Sequence, residues 1–368
     1  MSKDTNNVCP LKKTSIGGQA LMEGIMMRGP KTTAMAVRNP RGEIILETFP
    51  TVGKPRPAIC RWPIVRGVIG FIDSMSFGYK CLMRSAEIAG LEEIEAEMEK
   101  EKAAKKAAKR AAKEGTAPAE EIPAVEPAEP TDEAEIIEAT ETAEASAKNP
   151  EKKESSAITT VIMILSAVFA VAIAVGLFIV LPAWLYDHVL ARFIPWIDAD
   201  NNLAQSIFEG VLRILLLLGY MSLMLLMKDV RRTFQFHGAE HKTIFCYEQG
   251  LELTVENIRL QRRFHPRCGT SFLILMVLVS IIIGFFIPAS LPTALRALCK
   301  LAVFPLIMGI GYELIKICGR HDNALTRMIA APGLWFQRIT VLEPDDDMIE
   351  CAIVAMKEAI PDDDSDKI

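Results

Sequence analysis

The stretch FHGAEHKTIFCYE, Phe236 to Glu248, places His237 and His241 one helical turn apart, with Glu240 beside the second. On a helix that spacing turns both imidazoles to one face, where they can share a metal ion. The residues spell H-x-x-E-H, the inverted zinc-peptidase signature in which two histidines bind zinc and the glutamate acts as base on water. Zinc or another divalent transition metal is therefore the expected cofactor, with His237 and His241 as ligands and Glu240 as the catalytic base.

The remaining ligands stay open at this level. HPRCGT offers His265 and Cys268, and four N/S donors in two close pairs would suit a closed, structural zinc site that needs no catalysis. A carboxylate would instead complete an open site: Glu248 close by, or Glu313 in GYELIK, an ionisable group at the end of an apolar segment. His321 has no comparable support, and His188 falls on the opposite side of the membrane in the topology below. Glu23, enclosed by LMEGIMM, needs a partner, and Arg28 is the nearest in sequence. Arg259, Arg262, Arg263 and Arg267 suit an anionic headgroup or phosphate, or serve only as an orientation signal.

The elements that must position these groups are largely apolar. Half of the 368 residues are hydrophobic, and residues 155–186 and 269–295 carry no charge over 32 and 27 positions. Both runs exceed the roughly 20 residues that cross hydrocarbon. Segments 207–227 and 297–317 are further spans whose charged ends can pair or snorkel. The expected fold is thus a mainly α-helical membrane protein of about four transmembrane helices, at 158–186, 207–227, 271–290 and 297–317. On its cytoplasmic side stand a small N-terminal β-element and a long amphipathic helix. A re-entrant hairpin over 271–313 is the alternative to two crossings, because Arg296 and Lys300 would otherwise lie at the outer end of the fourth span.

Lysine and arginine crowd into 228–270 and the segment after Ile315, whereas 187–206 holds only Arg192. Cytoplasmic connections carry such an excess, so both termini and the 228–270 loop are expected on the cytoplasmic side of a bacterial inner membrane. The polar start, MSKDTNNVCPLKK, gives no cleavable signal peptide. Eight cysteines without a C-x-x-C pair fit reduced thiols. A net charge of −5 argues against a nucleic-acid partner and leaves membrane lipids, and a membrane protein or peptide, as partners.

Along the chain, 1–13 reads as a flexible start and 14–90 as the cytoplasmic unit. TTAMAVRNPRGEIILETFP reads as two strands joined by a turn at Asn39 to Gly42, followed by the helix. The helix carries Arg66, Asp73, Lys80, Arg84 and Glu87 in one narrow stripe, which fits a membrane interface, a polar site or a solvated edge equally well. Residues 91–156, rich in Ala, Glu, Lys and Pro, read as a helical arm and disordered linker. The transmembrane domain is 157–343, and 344–368 reads as an amphipathic helix with a frayed acidic tail.

Taken together, IGGQALMEGIMMRGP, AVRNPRGEI, FHGAEHKTIFCYE, LTVENIRLQRRFHPRCGTSFL, GYELIK and PGLWFQRITVLEPDDDMIECAI resemble the YqhQ-like family of bacterial membrane proteins. That resemblance implies a predicted metal-dependent enzyme and covers most of the chain outside 91–156. Two readings follow. One is a membrane-embedded, zinc-dependent hydrolase acting at the cytoplasmic face on a peptide or lipid-linked substrate. The other is a non-enzymatic assembly or scaffold factor with a structural metal site or a polar His/Glu/Cys network.

Overall fold

The computed structural model describes residues 13–51, 57–90, 150–190 and 201–367. The start of the chain, the charged arm and linker as far as residue 149, and Arg192 lie outside the described residues. The chain divides into two compact units, Met1–Ile94 with Val175–Ile368, and Glu95–Ala174. The first unit contains every group discussed as a site.

Four strands open that unit: β1 (Gly17–Leu21), β2 (Gly24–Arg28), β3 (Thr32–Arg38) and β4 (Ile44–Pro50). They form an antiparallel meander in the order β1-β2-β3-β4, twice the number of strands expected from sequence. The additional pair comes from IGGQALMEGIMMR. Its turn at Met22-Glu23 holds Glu23 at φ +51°, and the next residue is a glycine whose Cβ would lie 2.4 Å from the Ala36 carbonyl oxygen. Asn39 closes the β3–β4 turn by accepting from Arg41 N and Glu43 N at 3.0 and 2.9 Å, with Gly42 at φ +85°.

Both faces of the sheet are covered. Alternation puts Leu21, Met26, Met35 and Val37 on one face, where they pack with Cys81 and Phe77 of the long helix α1 (Val65–Ile88). Ile25, Met27 and Ala36 on the other face meet Phe236, Ala239 and Ile244, and also Met348, Ala352 and Met356 of the C-terminal helix. The acidic C-terminus, expected to fray, instead closes the unit: Thr14 bridges to Lys367, and Asp366 accepts from Thr14 Oγ1 at 2.6 Å and Tyr247 Oη at 3.0 Å.

Helices follow in the order α2 (Pro150–Val175), α3 (Leu181–Leu185, between two π-helical turns), α4 (Asn202–Met224), α5 (Lys228–Glu248), α6 (Val255–Arg259) and α7 (Gly269–Gly284). Then come α8 (Thr293–Ala302), α9 (Phe304–Arg320), α10 (Ala324–Thr340) and α11 (Asp346–Ala359). Among the described residues, two helical stretches are long and apolar enough to cross a membrane, Leu165–Leu190 and Asn202–Met224. A third exists if α8 and α9, bent by 45° with Pro305 in the first turn after the break, count as one span. The expected four are therefore reduced to two or three. The charge-free run 269–295 misleads because its helix stops at Gly284 after 16 residues, and Pro288 and Pro292 turn the chain.

The short α7 packs against α4, α9 and α10. Charged groups among these apolar helices are paired: Glu209 binds Lys300 Nζ at 2.6 Å and Arg213 Nη2 at 2.7 Å, and buried Arg296 binds Asp187. Arg296, which opposed a simple topology, thus pairs with Asp187, and Lys300 shares Glu209 with Arg213. Glu209 is 1% exposed, so Glu209→Ala would strand two cations. The expected loss is about 3–5 kcal/mol, seen as a lower thermal midpoint in detergent.

Candidate metal centre

The helix α5 carries the motif because its apolar and polar residues face different neighbours. Phe236, Ala239 and Ile244 enter the sheet core, while His237 and His241 turn toward the segment before α7. Gly238 allows this approach, since a Cβ there would lie 1.9 Å from the Leu342 carbonyl oxygen. Leu342 N in turn donates to Phe234 O at 3.0 Å, holding the chain after α10 against α5.

Two backbone carbonyls orient the imidazoles. His237 Nδ1 donates to Thr340 O at 2.9 Å, a carbonyl left unsatisfied at the end of α10, and His241 Nδ1 donates to Arg263 O at 2.5 Å. In its neutral form each imidazole held this way leaves Nε2 as the donor atom, the arrangement that prepares a histidine for a metal. His237 Nε2 lies 3.1 Å from Cys268 Sγ. Cys268 is the N-cap of α7 and accepts from Thr270 N at 3.4 Å, so the helix N-terminus favours a thiolate.

One donor atom from each of His237, His241 and Cys268 lies within 4.8 Å of the others, and this trio is the group among the described residues that could hold a metal ion. Zinc bonds of about 2.1 Å to nitrogen and 2.3 Å to sulfur set tetrahedral donors about 3.6 Å apart. The donor set therefore fits a transition metal. Three such ligands would leave a fourth position free.

Electrostatics link the groups. Burial would lower the His237 imidazole, but the Cys268 sulfur and Glu240 raise it to about 9. Burial would raise the Cys268 thiol, yet the two histidines hold it well below its ordinary value. Glu240 is 6% exposed, and burial pushes its carboxyl up against the opposing pull of His237 and His241. Its Oε1 accepts from Gly18 N at 3.1 Å, and an added Cβ at Gly18 would sit 2.8 Å from Glu240 Cγ. The glycine lets β1 lie against the carboxylate. A cavity of about 730 Å³ opens here, bordered by Gly17, Gly18, His237, Glu240, His241 and Cys268.

The other expected ligands have different partners. His265 borders the same cavity, but its ring faces Glu248 with Nε2–Oε2 at 3.7 Å, and burial lowers it to about 4, which keeps it neutral. Glu248 accepts from Thr14 N at 3.1 Å and pairs with Arg267. Although burial opposes this, His265 and Arg267 hold its carboxyl below the usual value. Glu313 receives both arms of Arg66, with Nε–Oε1 at 2.7 Å. Glu23 pairs with Arg232 at 2.6 Å rather than with Arg28. The structure thus brings together His237, His241, Cys268 and Glu240, and joins neither Glu248 nor Glu313 to them.

Several supports carry no chemical signature in the sequence. Buried Gln337 accepts from His265 N at 2.8 Å and donates to His265 O and Ser271 Oγ, both at 2.7 Å, fixing the segment that ends in Cys268. Its signal was a glutamine in the otherwise apolar GLWFQ. Thr340 and Arg263 act through their carbonyls, which any residue would supply.

Residues 131–362 match the family model described as "Protein of unknown function (DUF1385)", and the chain belongs to that family. It is similar to "Uncharacterized protein YqhQ" of Bacillus subtilis (strain 168), with 29% identity over 351 residues that cover 94% of this chain and 92% of the relative. The resemblance therefore holds at the level of family, and neither match adds to the description of a membrane-bound metal enzyme. No solved structure gives a significant match.

Proposed function

We propose that this chain is a membrane-embedded, metal-dependent hydrolase. His237, His241 and Cys268 hold zinc or another divalent transition metal, and Glu240 is the general base. The observation that supports it best is the donor geometry: two imidazoles pre-oriented by carbonyls and one thiolate, with a buried carboxylate at the wall of the same cavity. Closed structural zinc sites use four protein ligands, whereas three with an open position suit catalysis. A metal bound there supplies Lewis-acid activation of water and of a substrate carbonyl.

The chain's own groups do the rest. Thr340 O and Arg263 O hold the imidazoles in register, and the Gly18 N–H keeps the Glu240 carboxylate turned into the cavity. Burial brings the Glu240 carboxyl nearer to neutral pH, where a base both accepts and returns a proton efficiently. The basic residues of 228–270 support a reading in which this face lies on the cytoplasmic side of a bacterial inner membrane, in contact with lipid, and the proposed substrate is a peptide or lipid-linked molecule.

One observation favours a second reading. With His237 protonated, the 3.1 Å contact to the Cys268 thiolate is a satisfied ion pair, which suits a polar network in a scaffold factor. Elemental mass spectrometry of detergent-purified protein separates the two. The hydrolase reading expects about one zinc or other transition-metal ion per chain. His237→Ala/His241→Ala should lose it with circular dichroism unchanged. Wild type that takes up no metal after reconstitution would leave the network.

A further inference from the structure

The outer edge of β1 is a main-chain surface inside the cavity. In an antiparallel ladder, backbone N–H and C=O groups point alternately toward the partner strand and away from it. The β1–β2 register runs from Gly17↔Arg28 to Leu21↔Gly24, and the Gly18 N–H goes to Glu240 instead of β2. Residue 18 therefore faces outward, and Ala20, two positions on, faces the same way. β1 ends the sheet, so no strand among the described residues pairs with that edge.

The cavity wraps around this edge. It reaches Met26 and Phe77, which belong to the α1 face, and Glu240 and Ile244 on the α5 side. A Cβ at Gly17 would meet nothing within 4 Å, so the α1 face is open at the start of the strand. The volume of about 730 Å³ falls within the range of roughly 300–1,000 Å³ seen for ligand sites. Arg28, opposite Gly17 at the open end, lines the cavity, and its guanidinium has no hydrogen bond or ion pair among the described residues.

We propose that the outer edge of β1 takes up an extended peptide segment as an added strand, with Arg28 receiving a carboxylate of that segment. The Gly18 carbonyl and the Ala20 N–H and carbonyl would supply sequence-tolerant affinity, the Gly18 N–H being held by Glu240, and the unpaired guanidinium a preference for acidic peptides. The added strand runs past Gly18 to Glu240, so a peptide carbonyl is delivered to the metal centre. As a substrate assignment this rests on the hydrolase reading; the docking geometry does not. Hydrolysis there breaks the C–N bond of the amide: water gives its oxygen to the carbonyl carbon and both its protons to the nitrogen, leaving a carboxylate and an ammonium group.

The test uses the full chain in detergent, metal-free and zinc-loaded, and fluorescein-labelled octapeptide pools with one fixed Glu or one fixed Gln, read by fluorescence anisotropy. The Glu pool should bind more tightly, and Arg28→Ala should erase the difference, on the order of tenfold for a lost charge-assisted bond. Ala20→Pro removes an N–H that β2 does not use and should weaken both pools roughly threefold to tenfold, the worth of one main-chain hydrogen bond. Pools N-methylated along the backbone repeat that test with the protein unaltered, in case the proline variant misfolds. Binding that ignores both Ala20→Pro and N-methylation, or no binding of either pool, overturns the proposal, and the latter points to a lipid-linked substrate. Peptide binding without zinc uptake supports the docking edge and removes the hydrolase reading. Zinc uptake without peptide binding does the reverse.

Discussion

Replacing Cys268 with alanine is expected to strip the metal, while His265→Ala leaves occupancy near that of wild type. Competition with a fluorescent zinc chelator reads both. The two residues are near neighbours in HPRC, yet their side chains part: Cys268 Sγ lies 3.1 Å from His237 Nε2, and the His265 ring turns toward Glu248 at 3.7 Å. Loss of Cys268 should cost more than the roughly 10- to 100-fold caused by removing a ligand's hydrogen-bond partner. If His265→Ala releases the metal as completely, the site has four protein ligands and is closed.

Proton competition adds a sign to this prediction. In the metal-free protein His237 holds its proton up to about 9, and a metal must displace it. Apparent affinity should therefore rise with pH by up to about tenfold per unit below that value and level off above it. Cys268, already held well below its ordinary value, releases no further proton on binding.

The placement of His237, Glu240 and His241 beside one another was legible because helical spacing alone aligns them. Choice of the third ligand was not, since it depends on partners far apart in the chain. Glu313 is held by Arg66, 247 positions earlier, and Glu248 by Thr14 and Arg267, partners that their neighbours in sequence do not reveal. The same limit explains Glu23, whose cation is Arg232, 209 positions away. Apolar runs located the helical region but overstated its spans, because a run without charge continues through the Phe285 to Pro292 turn that ends α7. β1 and β2 were hidden by their glycines, which weaken a strand pattern yet are needed where Gly18 meets Glu240 and Gly24 meets β3. The tail PDDDSDKI has no apolar content, and its order comes from a few specific bonds to Thr14 and Tyr247 that composition does not register.

Glu240→Gln should lower turnover of a cleavable peptide by roughly 10²–10⁴-fold, the usual contribution of a positioned general base, with metal content unchanged. The substitution is nearly isosteric, and the amide oxygen can still accept from Gly18 N, now 3.1 Å from Glu240 Oε1, so β1 should keep its place beside α5. What disappears is a group able to take and return a proton. Glu240 stays outside the trio of metal donors, so its loss should leave His237, His241 and Cys268 in position. Burial raises the Glu240 carboxyl, so activity in wild type should fall as pH drops through that raised value and the base becomes protonated. The acid limb should vanish from the residual activity of the glutamine variant. A variant that keeps both full turnover and the acid limb would assign the base to another residue, whereas one that loses its metal would make Glu240 a ligand or a support of the ligands.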